Sequence, residues 1–127
     1  MNEIGVIILA AGLGKRMQSS LPKVMHHLCG KPLFLHVLTT ARRLKPEKVA
    51  IVIGHCAEAV KQAYGGNDVT WIVQPQQLGT GHAVLCAKNS FEAFAGDLLI
   101  LSGDVPLVSE QTLKAMLCTH RQHGAAL

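Results

Sequence analysis

The sequence is poor in aromatic and charged residues, and each shortage narrows the classes of protein to consider. Aromatic residues make up 4% of the 127 positions, so stacking platforms for single-stranded nucleic acid are scarce. Charged residues make up 16%, whereas hydrophobic residues reach 49%. This composition is that of one globular domain with an apolar bias, which is typical of a sheet buried on both faces.

Long apolar runs and targeting signals are also lacking. No run approaches the roughly 20 residues that a membrane-spanning helix needs. The early apolar stretch VIILAA has neither the basic start nor the cleavage site of a signal peptide. The sequence therefore predicts a cytoplasmic protein that does not contact a membrane.

Cysteines and histidines are present without the spacing of a metal site. The chain has four cysteines and seven histidines, but no CxxC pair and no HExxH motif, which favours reduced thiols over disulfides or zinc. Two close histidine pairs could ligate a metal, although packing or surface roles are more common: His26 with His27, and His120 with His123.

The net charge of +4 could suit nucleic acid, but its distribution argues otherwise. Lys15, Arg16, Lys23 and Lys31 belong to one glycine-containing region near the N-terminus. The other basic cluster lies around the end of a predicted helix. We therefore expect a small anionic ligand rather than nucleic acid.

Apolar strands and helical periodicities alternate along the chain. Buried strands are predicted at Ile4–Ala10, 49–53, 69–73 and 97–101. Helices are predicted from Pro32 through Leu44, at Ala57–Tyr64, at 79–88, and at 109–120 with Ser109 as the N-terminal cap. This order predicts an α/β fold, a Rossmann-like, mainly parallel sheet with helices on both faces.

The last four residues are Gly124, Ala125, Ala126 and Leu127, and they are typical of the opening of another strand. A missing strand would leave unpaired backbone at a sheet edge. We therefore expect the fold to be incomplete at the C-terminus and the chain to be the N-terminal part of a longer protein.

The first candidate motif follows the first strand, where parallel sheets bind ligands. Gly12 and Gly14 allow the backbone to approach a ligand closely, and Lys15, Arg16 and Lys23 supply positive charge. This combination suits a polyphosphate. The alternative is an ordinary turn with solvated cations.

Two familiar nucleotide loops do not fit this segment. A dinucleotide-binding loop requires a third glycine where Met17 stands, and a Walker A loop requires Ser or Thr where Arg16 stands. The loop is therefore of another type.

Two further motifs follow the third and fourth predicted strands. In QPQQLGTGHA, residues 74–83, the amide of Gln74 can offer a donor and an acceptor to a pyrimidine base, and Gly79 and Gly81 allow close approach. In LLILSGDVPL, residues 98–107, the carboxylate of Asp104 is suited to Mg²⁺. The alternatives are a solvated glutamine at a helix entry and a turn-forming aspartate.

Together these segments resemble one enzyme family closely. LAAGLGKRM with LPKVMH, Gln74 with GTGHA, and GDVPL are similar to the uridylyltransferase domain of the bacterial bifunctional UDP-N-acetylglucosamine pyrophosphorylase / glucosamine-1-phosphate N-acetyltransferase family. The resemblance covers essentially the whole chain. It implies Mg²⁺-dependent, in-line transfer of UMP from UTP to N-acetylglucosamine 1-phosphate, which releases pyrophosphate and supplies cell-envelope precursors.

The resemblance also implies roles for individual residues. Contacts to the uridine and phosphates of UTP are implied for Leu9, Ala10, Ala11, Gly12 and Gly14. Catalytic cations that hold the triphosphate and stabilise the leaving pyrophosphate are implied at Arg16 and Lys23. Gln74 would pair with uracil in a pocket lined by Gly79 and Thr80, and Asp104 would ligate Mg²⁺.

The same resemblance implies what lies outside this sequence. Residues 1–127 would be the N-terminal, nucleotide-binding part of the pyrophosphorylase domain. The sugar pocket, a second Mg²⁺ ligand and the β-helical acetyltransferase domain that forms the family's homotrimer would follow Leu127. Two alternatives remain: another sugar- or alditol-phosphate nucleotidyltransferase that uses CTP or GTP, and a nucleotide-binding module without turnover of its own.

Overall fold

The computed structural model describes residues 3–12, 22–54 and 57–127. The strands are β1 (Ile4–Ala10), β2 (His27–Leu28), β3 (Lys31–Pro32), β4 (Lys48–Ile53), β5 (Thr70–Val73) and β6 (Asp97–Ser102). The helices are α1 (Leu33–Arg42), α2 (Ala57–Tyr64), α3 (Thr80–Cys86) and α4 (Glu110–His123), with short 3₁₀ turns at Lys23–Met25 and Lys88–Phe91.

The main sheet is parallel and has the order β5-β4-β1-β6. The central strand β1 pairs with β4 on one side and with β6 on the other, so that Leu9 lies level with Val52 and with Ser102. All four strands therefore end at the same edge of the sheet. This edge is where ligands bind in open parallel sheets.

The core lies on both faces of this sheet, as the apolar composition predicts. On the first face, Val6 and Ile8 of β1 pack with Phe34 of α1 and Leu113 of α4. On the second face, Ile7 packs with residues of α3 and of the following 3₁₀ turn. Because successive side chains of a strand point to opposite faces, β1 contributes to both clusters. The parallel sheet with helices on both faces confirms the predicted α/β fold class.

Helix boundaries differ from the sequence prediction at α3. The predicted helix 79–88 is shorter in the structure, and a 3₁₀ turn follows it at Lys88–Phe91. The amide of Ala87 donates to the carbonyl of Val84 at 3.0 Å, three residues back, so the end of the helix tightens. This turn brings Phe91 onto the second face of the sheet.

Helix α4 begins as predicted and ends later than predicted. The Oγ of Ser109 accepts a hydrogen bond from the Thr112 amide at 3.1 Å, which is the predicted N-terminal cap. The helix continues to His123 and ends at Gly124, whose φ of 54° is in the left-handed region.

The strand predicted at residues 124–127 does not form. The amides of Gly124 and Ala125 donate to carbonyls of the last turn of α4, at 3.3 Å to Arg121 and 3.2 Å to His120. These donors complete the helix end and are not available to a sheet ladder. The expectation of a further strand here was wrong for that reason.

The antiparallel pair β2–β3 was not predicted. Its two-residue connection has Cys29 at φ 54° and Gly30 at φ 78°, the pattern of tight hairpin turns with positive φ at both positions. Strands of two residues are too short for a periodicity signal. In the described part of the chain, no helix is both long and apolar enough to cross a membrane.

Candidate functional site

A cavity of about 510 Å³ lies at the edge where the strands of the main sheet end. Its walls come from the segments after β1, β5 and β6 and from the start of α3. The lining residues are Leu9, Ala11, Gly12, Lys23, Val24, Gln74, Gln77, Gly79, Thr80, Ala83, Ser102 and Asp104.

Most of the residues predicted from sequence share this cavity. The lining set contains Leu9, Ala11, Gly12, Lys23, Gln74, Gly79, Thr80 and Asp104. Ala10 is an exception, because it is 1% exposed and packs in the core of the first face. Gly14 and Arg16 lie outside the described residues, so their roles stay predictions.

Glycines give this edge of the sheet its shape. Gly79 has φ 101°, a conformation that residues with a side chain rarely adopt. Gly103 donates its amide to the Leu9 carbonyl at 2.9 Å, and a Cβ at Gly103 would lie 2.9 Å from that same oxygen. A glycine is therefore needed at residue 103 to bring Asp104 next to the end of β1.

Lys23 and Asp104 form an ion pair across the cavity. The distance from Lys23 Nζ to Asp104 Oδ2 is 3.0 Å, and the two side chains are 41% and 31% exposed. Lys23 opens the 3₁₀ turn after Pro22, and Val24 of the same turn packs into the core. The cavity therefore holds a cation and a carboxylate that solvent or a ligand can reach.

The donor set suits a hard cation held mainly by ligand and water oxygens. No group of three or more His, Cys, Asp or Glu residues capable of holding a metal occurs among the described residues. Among the described residues that line the cavity, Asp104 contributes the one carboxylate. Mg²⁺ often binds through one or two carboxylates, several waters and substrate phosphates, so the site fits that ion.

Gln74 is the buried polar residue of the cavity. It is 3% exposed, and its amide extends the β4–β5 ladder by donating to Ile53 at 2.7 Å. Its side-chain Nε2 lies 2.9 Å from Nδ1 of His82 and 3.3 Å from the carbonyl of Gly79. The sequence suggested that both ends of this amide face a base, but in the structure the donor end is already engaged.

Sequence reasoning missed some of the residues around the cavity. Gln77 lines it, and its Nε2 would lie 2.7 Å from a Cβ at Gly54, so the glycine after β4 leaves room for this side chain. His82 does not line the cavity but contacts Gln74 behind it. The GTGHA motif contains His82, but nothing in the spacing pairs it with a residue eight positions earlier.

The chain matches a known protein family over almost its whole length. The sequence model of the family described as "MobA-like NTP transferase domain" matches residues 6–127. "Bifunctional protein GlmU" of Nitrosococcus oceani is 51% identical over 124 residues, which are 98% of this chain and 27% of that protein. The protein of the same name from Paraburkholderia xenovorans is 54% identical over 95% of this chain and 26% of that protein.

The chain thus spans about a quarter of the length of these curated relatives. The matches lie over almost all of its residues, so the resemblance to the bifunctional family proposed from the sequence is confirmed. Because most of each relative has no counterpart here, the activity, substrates and partners of a whole protein do not follow from identity alone.

Solved structures share the fold. A nucleotidyl transferase from Methanothermobacter (Mth528) aligns with a TM-score of 0.75 and 26% identity, covering 91% of this chain and 56% of that chain. A Mycobacterium tuberculosis protein solved in complex with manganese aligns with a TM-score of 0.76 and 20% identity, covering 95% and 61%. At the latter identity the likeness concerns the fold alone.

Proposed function

The chain belongs to the family of MobA-like NTP transferase domains, and on that premise we propose that its cavity binds UTP together with Mg²⁺. We further propose that the longer protein transfers UMP from UTP to N-acetylglucosamine 1-phosphate. The products would be UDP-N-acetylglucosamine, a precursor of peptidoglycan and lipopolysaccharide, and pyrophosphate.

The observation that carries this proposal is the convergence of three chain segments on one cavity. Gly12 after β1, Gln74 after β5 and Asp104 after β6 are distant in sequence but line the same space. A backbone that a ligand can approach closely suits phosphates, and an amide suits a base. A carboxylate beside a lysine suits a metal bound to phosphates. A nucleoside triphosphate combines those three requirements.

The base would lie against the β5 side of the cavity. The side-chain hydrogen bonds of Gln74 to described residues use Nε2, so Oε1 is the side-chain atom that remains to accept from a ligand. Uracil offers an N–H donor at ring position 3, whereas cytosine has a bare acceptor there. In this orientation, the side-chain amide of Gln74 therefore favours uridine over cytidine.

The phosphates and the metal would lie between β1 and β6. Asp104 would hold Mg²⁺, which when bound neutralises phosphate charge and orients the triphosphate. Lys23 lies 3.0 Å from Asp104 and would exchange this partner for phosphate oxygens. Gly12 would let the backbone approach the same phosphates, because it has no side chain to shield its own backbone, and no described residue lies within 4 Å of the position of a Cβ there.

The reaction is a displacement at phosphorus. A phosphate oxygen of N-acetylglucosamine 1-phosphate attacks the α-phosphorus of UTP, a new P–O bond forms, and the bond to the bridging oxygen of the β-phosphate breaks. Pyrophosphate leaves with the negative charge that develops on that oxygen. Lys23 would stabilise this charge, and Arg16 is proposed to do the same, so catalysis needs position and charge rather than a nucleophilic side chain.

The length of the relatives supports a proposal for the domain arrangement. We propose that residues 1–127 are the N-terminal nucleotide-binding part of a pyrophosphorylase domain. The acetyltransferase β-helix and the trimer contacts would belong to the remaining part of the longer, cytoplasmic protein. The chain spans 27% of the Nitrosococcus relative, which supports a second candidate function: nucleotide binding without turnover by these residues alone.

A calorimetric titration tests the proposal. The folded chain is titrated with UTP and with CTP, each in the presence and absence of Mg²⁺, and the titrations are repeated with Asp104→Asn. Glu58→Gln is the matched control, since Glu58 is an exposed acid on α2 with an 82% exposed side chain. We expect UTP binding that is tighter with Mg²⁺, a loss of this metal dependence in Asp104→Asn, and no change in the control.

Three outcomes of these titrations would contradict parts of the proposal. A folded chain that binds neither nucleotide contradicts the nucleotide site. Equal affinity for UTP and CTP contradicts the uridine assignment and favours a transferase of another base. If UTP binding by Asp104→Asn still depends on Mg²⁺, residues other than Asp104 hold the metal.

A further inference from the structure

His82 contacts the side chain of Gln74, which is proposed to pair with the base, on the side away from the cavity. It lies in the first turns of α3, outside the residues that line the cavity. Its Nδ1 is 2.9 Å from Nε2 of Gln74, which is an ordinary hydrogen-bond length. An amide nitrogen can only donate, so Nδ1 is the acceptor and the neutral ring carries its proton on Nε2.

A primary amide can occupy its site in two orientations that differ by exchange of oxygen and nitrogen. In the orientation present here, Nε2 faces two acceptors, His82 Nδ1 at 2.9 Å and the Gly79 carbonyl at 3.3 Å. With the ring in the tautomer that carries its proton on Nε2, exchange would turn Oε1 toward the same two acceptors and replace two attractions with two repulsions. The shorter of the two contacts is to His82, so this ring contributes strongly to the choice.

The orientation of the amide decides which base it can accept. With Nε2 held behind, Oε1 is the atom left for a ligand, and it attracts the N3–H of uracil. The N3 of cytosine carries a lone pair in the same position and would be repelled. A flipped amide would offer N–H groups instead and would favour cytosine.

We propose that His82 is a positioning residue that determines base specificity: through Nδ1 it fixes the Gln74 amide and so selects uracil over cytosine. This inference rests on the proposed function, since it assumes that Gln74 reads the base of a bound nucleotide. His82 itself touches no nucleotide in this arrangement. Its effect on the ligand passes entirely through Gln74.

The ring of His82 is also held in place from its own helix. The Sγ of Cys86, one turn later on α3, lies 4.0 Å from both ring nitrogens. Equal distances to the two nitrogens indicate packing against the ring rather than a hydrogen bond to one of them. The ring therefore has a fixed neighbour on α3 and a hydrogen-bonded neighbour after β5.

The test compares two variants of nearly equal size. His82→Leu removes the acceptor, whereas His82→Asn keeps a carbonyl oxygen close to the position of Nδ1. Dissociation constants for UTP and CTP are measured by calorimetry with Mg²⁺ for both variants and for the unaltered chain. The measured quantity is the ratio of the CTP to the UTP constant, which a general loss of packing would not change.

We expect His82→Leu to lower this ratio at least about tenfold. This is the size expected for the difference between a hydrogen bond that forms with uracil and a mispaired contact with cytosine. We expect His82→Asn to retain it within about threefold of the unaltered chain. A ratio that survives in His82→Leu overturns the proposal. An equal loss in both variants also overturns it, because the acceptor would then not be the relevant feature.

A second measurement needs no nucleotide and covers the case in which His82→Leu does not fold. Nitrogen-15 NMR of the ring distinguishes a bare Nδ1 with a protonated Nε2 from the opposite tautomer. The bare Nδ1 is expected, and a proton on Nδ1 overturns the proposal. If the ring has the expected form but the unaltered chain binds neither nucleotide, the proposed function fails and the specificity role falls with it, while the hydrogen bond stands.

Discussion

The ion pair of Lys23 and Asp104 joins the segment after β1 to the end of β6 at a distance of 3.0 Å. Both side chains are partly exposed, and exposed pairs of this kind add little to folding stability because water screens them and side-chain entropy opposes them. The position of Lys23 beside the cavity is in keeping with the phosphate-binding role proposed for it. Substitution of Lys23 should therefore weaken ligand binding while it changes the stability of the fold only slightly.

We predict that Lys23→Met weakens UTP binding at least about tenfold, because a charge-assisted contact to phosphate is lost. The free energy of unfolding should change by less than about 1 kcal/mol. Lys61→Met is the control: Lys61 pairs with Glu58 on α2 at 3.8 Å and does not line the cavity. Calorimetry and urea unfolding measure the two effects, and a variant that unfolds easily yet binds UTP normally would contradict the prediction.

Three elements meet in one polar cluster at the opposite edge of the sheet. Arg42 at the end of α1 lies 2.6 Å from Asp68, and Tyr64 at the end of α2 donates its hydroxyl to the same carboxylate. The guanidinium of Arg42 also lies 5.3 Å from the centre of the Tyr64 ring, within the range of a cation–π contact. The cluster therefore connects α1 and α2 to the segment before β5.

The charge state of Asp68 makes this connection dependent on pH. The hydrogen bond from Tyr64 is the largest cause that lowers the pKa of Asp68 from its ordinary value of 3.8, and the nearby guanidinium of Arg42 lowers the pKa further. A carboxyl whose pKa is lower in the folded state stabilises the fold above its unfolded pKa. That contribution is lost as the pH falls through the lowered folded value.

We predict that the unaltered chain loses more stability than Asp68→Asn as the pH falls from about 6 to about 3. The amide has no charge to lose, so the variant should show the shallower slope over this interval. Urea unfolding at a series of pH values measures it, with Glu58→Gln as a control that should keep the original slope. Identical slopes for Asp68→Asn and the unaltered chain would show that the cluster does not couple to folding.

Across the whole molecule, the sheet is covered unevenly. On the second face, Ile7 in the central strand β1 is 2% exposed, whereas Leu98 and Ile100 of the edge strand β6 are 44% and 39% exposed. Helix α3 and the following 3₁₀ turn cover that face mainly over β1 and β4. The centre of the sheet should therefore contribute more to stability than the β6 edge.

The same substitution at two sites tests this. Ile7→Val should lower the free energy of unfolding by about 0.5–1.5 kcal/mol, since a buried methylene group is removed and a small cavity remains. Ile100→Val should cost less than about 0.5 kcal/mol, because its side chain already meets water. Urea unfolding compares the two variants. Equal costs would mean that the β6 face is covered as well as the centre.

Much of the fold was predictable from local patterns. Strand β1 was predicted with its correct bounds, because strands of a sheet covered on both faces are continuous apolar runs. The cap at Ser109 was predicted because its hydroxyl bonds within its own turn. The end of α3 and the hairpin β2–β3 were missed, since each depends on a few backbone hydrogen bonds that carry no periodic signal. The end of α4 was also missed, although Gly124 is a local signal for the end of a helix.

The sequence by itself determined which chemical groups stand at the strand ends: the glycines, Lys23, Gln74 and Asp104 follow apolar runs that form strands in a parallel sheet. Only the tertiary structure decided how those groups pair. Lys23 meets Asp104, and His82 engages the donor end of Gln74, because a hydrogen bond or an ion pair depends on distances between separate elements. Those distances follow from the packing of α3 on the sheet and from the places of β5 and β6 in the strand order, which local sequence does not encode.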